Sequence, residues 1–128
     1  MEKSGSVLVL GGGIGGIQAS LDLAESGFKV YLVEKKSGIG GTMSQLDKTF
    51  PTNDCSICIL SPKLVETGRH TNIEVITNAE IESIEGEPGD FHVKVRIKPR
   101  FVDPENVPVV VSAVNTVRRR LQIYTMRI

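Results

Sequence analysis

Val7-Leu8-Val9-Leu10-Gly11-Gly12-Gly13-Ile14-Gly15-Gly16 is the stretch on which the fold turns. Four apolar residues read as a buried parallel strand and run straight into Gly-x-Gly-x-x-Gly, set by Gly11, Gly13 and Gly16. Gly11 allows the tight turn out of the strand. Gly13, without a Cβ, lets a pyrophosphate approach the backbone, and Gly16 lets a helix pack closely on the strand. Ile17, Leu21 and Ala24 then recur on one helical face, with Leu23 beside it. The spacing predicts a helix from about Ile14 to Ser26, with Gly27 where a C-terminal cap belongs. The free N–H groups and positive dipole end of that helix, next to Gly13 and Gly15, suit phosphates. Lys29-Val30-Tyr31-Leu32-Val33 reads as the second strand, completing a right-handed βαβ-type unit. Glu34 closes it eighteen residues beyond Gly16, where a carboxylate can accept hydrogen bonds from ribose hydroxyls. The same charge repels a 2′-phosphate, so FAD or NAD fits better than NADP.

The rest of the chain fits one small domain. It has 128 residues, a formal net charge of zero and 40% hydrophobic residues. There is no overall basic field to attract nucleic acid. The polar start and a first apolar run of only four residues argue against a secretory signal, and nothing is long enough to span a bilayer. Two cysteines three positions apart in a chain read as leaderless point to the cytoplasm and to metal or redox chemistry.

Residues 35–54 read mostly as loop, with one helical turn around Met43–Leu46. Ser61-Pro62 reads as a helix start, with Ser as N-cap and Pro at the first helical position, and that short helix should stop at Gly68. Ile73–Ile76 is a third short strand. Ala79–Glu85 and Phe91–Lys98 alternate apolar with polar residues around Gly86-Glu87-Pro88-Gly89-Asp90, which predicts a half-exposed β-hairpin. The expected architecture is α/β: three parallel strands plus a peripheral antiparallel hairpin.

Gly40-Gly41, six residues after Glu34, resembles the second glycine pair of two-domain flavoproteins, which also approaches FAD phosphates. The run from Gln45 to Glu66, most specifically Thr49-Phe50-Pro51-Thr52-Asn53-Asp54-Cys55-Ser56-Ile57-Cys58-Ile59-Leu60-Ser61-Pro62-Lys63, closely resembles the A-type flavoprotein of heterodisulfide reductase. The resemblance extends through Gly68-Arg69-His70 and the hairpin to Lys98-Pro99-Arg100-Phe101-Val102-Asp103. It implies part of a thioredoxin-reductase-like, Rossmann-like FAD domain over residues 1–105. It implies an FAD-dependent oxidoreductase that passes electrons to subunits B and C from a hydrogenase or formate dehydrogenase in a cytoplasmic complex, with [4Fe-4S] clusters in the intact family. As a 128-residue piece, the chain is expected to be inactive alone.

Cys55 and Cys58 admit three roles: a redox dithiol beside the flavin, half of an iron–sulfur ligand set, or two thiols without chemistry. A four-iron cluster needs four cysteines, so the set is incomplete in this chain. The remaining candidates carry less signal. Lys35-Lys36 can meet phosphates or simply be exposed. His70 suits a helix C-terminus, and His92 points outward on a strand. By resemblance, Thr52 and Asp54 face the flavin ring. Two further readings stay open: a nucleotide-binding module without electron transfer, and, less well supported, an NAD-dependent dehydrogenase.

The resemblance ends after Glu105, where a ferredoxin-type Cys-x-x-Cys-x-x-Cys-x-x-x-Cys-Pro run would follow. Asn106-Val107-Pro108 permits codons that would encode Lys-Cys-Thr in a neighbouring frame, and Val109, Val110, Val111, Ala113, Val117 and Arg118 permit the rest of the motif. Residues 106–128 are therefore expected to be a frameshifted, poorly ordered tail, and Arg118-Arg119-Arg120 an accident of it.

Overall fold

The computed structural model describes residues 5–99 and 122–128. In chain order come β1 (Ser6–Leu10), α1 (Ile14–Glu25), β2 (Lys29–Val33), a 3-10 turn (Gly41–Gln45), β3 (Lys48–Thr49), β4 (Asp54–Cys55), α2 (Ser56–Arg69), β5 (Ile73–Ile76), β6 (Ala79–Glu87), β7 (Asp90–Ile97) and β8 (Gln122–Arg127). β1, β2 and β5 form a parallel sheet in that order. β6, β7 and β8 form an antiparallel sheet, and β3 with β4 makes a two-residue ladder.

The alternation of the parallel strands explains the layering. On one face, Val9, Val30, Leu32, Ile73 and Val75 meet Ile17, Leu21 and Ala24 of α1 and Leu60 of α2. On the other, Leu8, Tyr31, Val33 and Ile76 meet Ala79, Val93 and Val95 of the antiparallel sheet. Successive residues of a strand point to opposite faces, so strands buried on both sides read as continuous apolar runs. The result is three layers: helices, parallel sheet, antiparallel sheet. The three parallel strands and the hairpin match the sequence expectation.

The start of α2 does not. Ser61 is not an N-cap and Pro62 lies inside a helix that begins at Ser56. Three features hold the turn ahead of the proline. Cys55 caps it, with its Sγ accepting the Cys58 N–H at 3.3 Å. Ser56 donates from Oγ to the Met43 carbonyl at 2.7 Å and from its N–H to the Asp47 carbonyl at 3.1 Å. Leu60 is fully buried in the helix-side core. Tertiary packing thus outweighs the local proline signal, whose cost is the N–H that would have met the Cys58 carbonyl.

The expectation for 106–121 lies outside the described residues. Within the described residues, Gln122–Arg127 pair antiparallel with β7, from His92↔Arg127 to Ile97↔Gln122. Met126 and Ile128 pack against the sheet–sheet core. At the ladder's end Arg127 grips Asp90 with Nε at 2.6 Å and Nη2 at 3.0 Å. The Arg127 hydrogen bonds, more than its charge alone, hold the Asp90 carboxyl below the ordinary aspartate value of 3.8. A depressed carboxylate contributes stability above that value and loses it as pH falls through the lowered one. Thermal melts should therefore show a small acid-side destabilisation, weakened by salt because the pair is exposed. Asp90→Asn should remove that pH-dependent component.

Candidate functional site

The turn between β1 and α1 is built from backbone. The Gly11 N–H donates to the Val33 carbonyl at 2.8 Å, and Gly11 takes φ 98°, a left-handed conformation open to glycine. Gly13 is the N-cap of α1, with no side-chain cap on the helix and no acidic residue in its first turn. Helix N-terminal amides without an internal partner are left to water or an anion. A Cβ on Gly13 or Gly15 would meet nothing within 4 Å, so the space beside these amides is open. A Cβ on Gly16 would stand 1.9 Å from the Gly11 carbonyl oxygen. That is the helix–strand contact the spacing predicted.

Two more segments close on this turn. The Gly40 N–H donates to the Gly12 carbonyl at 2.6 Å. Gly41, at φ 58°, lies so close that a Cβ would be 2.9 Å from Gly13 Cα. The second glycine pair therefore lies against the first glycine loop, backbone to backbone. Glu34 is half-buried at the end of β2. Its Oε2 accepts the Gly12 N–H at 2.6 Å, and its Oε1 accepts the Lys36 N–H at 2.8 Å. A carboxylate has about four acceptor positions, so ribose hydroxyls can still be accommodated. Sequence reasoning named Glu34 but missed Gly12 and the Lys36 amide, which fix its orientation. Lys35 is drawn elsewhere: its ammonium, 74% exposed, pairs with Glu80 at 3.2 Å.

An open, uncapped helix N-terminus lined by glycines without Cβ atoms, with a carboxylate at the next strand end, fits the ADP half of FAD. This chain's residues do not by themselves hold a four-iron cluster. The chain has only two cysteines, Cys55 and Cys58 are joined by a disulfide, and among the described residues no group of three or more His, Cys, Asp or Glu could hold a metal ion. Such clusters require four thiolate ligands.

Cys55 is half-buried and Cys58 exposed. They open α2 beside the 3-10 turn that continues from Gly41, to which Ser56 is bonded. Thr52 Oγ1 donates to Asp54 Oδ2 at 2.5 Å in the exposed β3–β4 loop. The His70 Nδ1 accepts the Asn72 N–H at 3.1 Å, and His92 lies 3.7 Å from Asp90. Neither histidine approaches the glycine cradle through these contacts. Among the described residues no helix is long and apolar enough to cross a membrane.

The sequence is 60% identical over 98 residues to the A component of the H(2):CoB-CoM heterodisulfide,ferredoxin reductase of Methanothermobacter marburgensis, covering 77% of this chain and 15% of that one. It is 57% identical over 105 residues to an iron-sulfur A component of the CoB–CoM heterodisulfide reductase of Methanopyrus kandleri, covering 82% and 16%. The chain thus spans about one-sixth of the length of these curated relatives. The fold matches thioredoxin reductase of T. acidophilum at a TM-score of 0.57 and 18% identity, over 69% of this chain and 29% of that one. A family profile described as FAD dependent oxidoreductase matches residues 6–118. That profile begins at β1, where the cradle begins, and runs past the hairpin: the chain belongs to the FAD dependent oxidoreductase family.

Proposed function

We propose that the cradle binds the ADP half of FAD, and that the chain supplies the opening of the FAD domain, residues 1–105, in an electron-transfer flavoprotein of the heterodisulfide reductase A type. The observation that carries this reading is the open N-terminus of α1 with Gly40-Gly41 seated on the glycine turn. Backbone amides of Gly13, Gly15 and Gly16 would face the pyrophosphate, Gly11 leaves it room, and Gly40 and Gly41 hold the second glycine pair against the turn. Glu34 accepts the ribose hydroxyls and disfavours a 2′-phosphate. FAD, when bound, supplies reversible one- and two-electron chemistry; the chain binds it and sets its position.

The hydrogen and ferredoxin named for the Methanothermobacter marburgensis relative support a place in a multi-protein complex. There the electron source would be a hydrogenase or formate dehydrogenase, subunits B and C would be neighbours, and the compartment would be the cytoplasm. The clusters of the iron–sulfur relative would depend on cysteines that this chain does not have. Residues 106–128 would be a frameshifted extension of this domain.

Calorimetric titration with FAD and with ADP tests the reading. Both should bind, and Gly13→Val, which fills the pyrophosphate position, should weaken both by at least about tenfold, or roughly 1.4 kcal/mol. Binding of ADP without FAD would favour a nucleotide module lacking electron transfer. Unchanged affinity in Gly13→Val would remove the assignment.

A further inference from the structure

We infer that Asn78 is a positioning residue for nucleotide selectivity: the left-handed corner it forms between β5 and β6 holds the loop that aims Glu34 at the ribose hydroxyls. The role rests on the cradle taking an ADP moiety. It makes the antiparallel sheet, which touches no part of the glycine turn through these bonds, a participant in ribose recognition.

Both hydrogen bonds of the Glu34 carboxylate go to backbone amides, those of Gly12 and Lys36. Its aim therefore depends on where those two segments lie. Gly12 is fixed through its carbonyl, which accepts the Gly40 N–H. Lys36 sits in an exposed stretch, residues 35–38, and needs an anchor of another kind. The β5–β6 corner supplies it. The Glu34 N–H donates to the Ile76 carbonyl at 2.9 Å, and the Glu34 carbonyl accepts the Ala79 N–H at 3.0 Å. Between these two bonds the Asn78 N–H donates to the Lys36 carbonyl at 2.9 Å. The residue whose amide holds the carboxylate is thus itself held by Asn78. On its other side the Asn78 carbonyl accepts the Lys98 N–H at 2.8 Å, just past the end of β7.

Asn78 meets both partners at a φ of 55°. The backbone dihedrals set how the N–H and the C=O of one residue are turned, so a residue that leaves this conformation gives up one partner or both. Asn tolerates the left-handed region, whereas a β-branched side chain clashes there. The corner has a firm base. Ala79 is 1% exposed and packs with Val33, Ile76, Val93 and Val95. Side chains repeat the tie, with Glu80 accepting Lys35 at 3.2 Å and Lys98 at 2.9 Å. Both lysines reach into solvent, which screens these pairs. The backbone bonds of Asn78 therefore carry the connection.

Calorimetric titration of the 128-residue chain with ADP and with 2′,3′-dideoxy-ADP tests this role, with urea midpoints measured in parallel. The unsubstituted chain should prefer ADP by at least about tenfold, as lost hydrogen bonds to a charged acceptor imply. In Asn78→Val that preference should shrink to about threefold or less, while the affinity for the dideoxy compound stays within about twofold. Asn78→Gly, which adopts a positive φ freely, should keep the full preference. Asn78→Ala, with a smaller side chain, should fall between the two and makes the comparison if the valine variant does not fold. An undiminished preference in a folded valine or alanine variant would overturn the role. So would equal weakening of both ligands, which marks Asn78 as a purely structural corner, or loss of the preference in Asn78→Gly. No ADP binding by the unsubstituted chain would remove the cradle reading itself, and ADP binding there without ribose preference would remove only the role of Glu34 and Asn78.

Discussion

Gly16→Ala is expected to destabilise the fold by at least about 3 kcal/mol, the upper part of the range for forcing atoms into a packed site. The new Cβ would stand 1.9 Å from the Gly11 carbonyl oxygen. That oxygen cannot swing aside easily, because the Gly11 N–H is tied to Val33 and the turn carries Gly40 on its Gly12 carbonyl. Relief requires α1 to lift off β1, which opens the core around Ile17 and Val9. A small domain has a total stability on the order of 5–15 kcal/mol, so this is a large share of it. Gly15→Ala is the control. Its Cβ meets nothing within 4 Å, and alanine is the better helix former by roughly 0.5–1 kcal/mol. Urea midpoints without nucleotide should fall sharply for the first variant and hold or rise for the second. Equal midpoints would mean that the close helix–strand approach is absent.

The contrast between those two glycines shows where sequence reading succeeds. Strands β1 and β2, the turn and α1 are set by contacts within about thirty residues, and apolar periodicity with glycine spacing registers such contacts. Ile73–Ile76 was legible as a short apolar run bounded by turn residues. The family resemblance added Gly40-Gly41 as a phosphate-side pair, but not that it would pack against Gly12 and Gly13. The start of α2 was misread because Ser61-Pro62 is a strong local signal, whereas Leu60 burial and the Ser56 bonds to Met43 and Asp47 are tertiary. The placement of α1 and α2 on one face, with the antiparallel sheet on the other, was invisible to periodicity, which reports that a strand is buried but not what covers it. β8 escaped the reading because that reading treats residues 106–128 as a frameshifted tail, and a short alternating run does not name its partner strand.

Glu34 shows the same limit at the site itself. The sequence presents it as a ribose acceptor, yet its two oxygens brace the protein first. Oε2 holds the Gly12 N–H at 2.6 Å and Oε1 the Lys36 N–H at 2.8 Å. Hydrogen bonds to a charged acceptor contribute about 1.5–3 kcal/mol each, and half-burial of this carboxylate puts the pair on the order of 3 kcal/mol. Glu34→Ala should therefore lower the urea midpoint with no nucleotide present, a loss that a purely ligand-facing residue would not show. Glu34→Gln keeps one oxygen but turns an NH2 donor toward a backbone N–H, so it should recover only part of the stability. Glu34→Asp is one methylene shorter and should be unable to span both amides. Nucleotide affinity should fall further than stability in all three variants, because a slack Gly12 loosens the turn that Gly40 and Gly41 press against. An unchanged midpoint for Glu34→Ala in the nucleotide-free chain would show that the brace contributes nothing. Glu34 would then face only the ligand, and the geometry of the glycine turn would have to be held by Gly40 and the Val33 carbonyl alone.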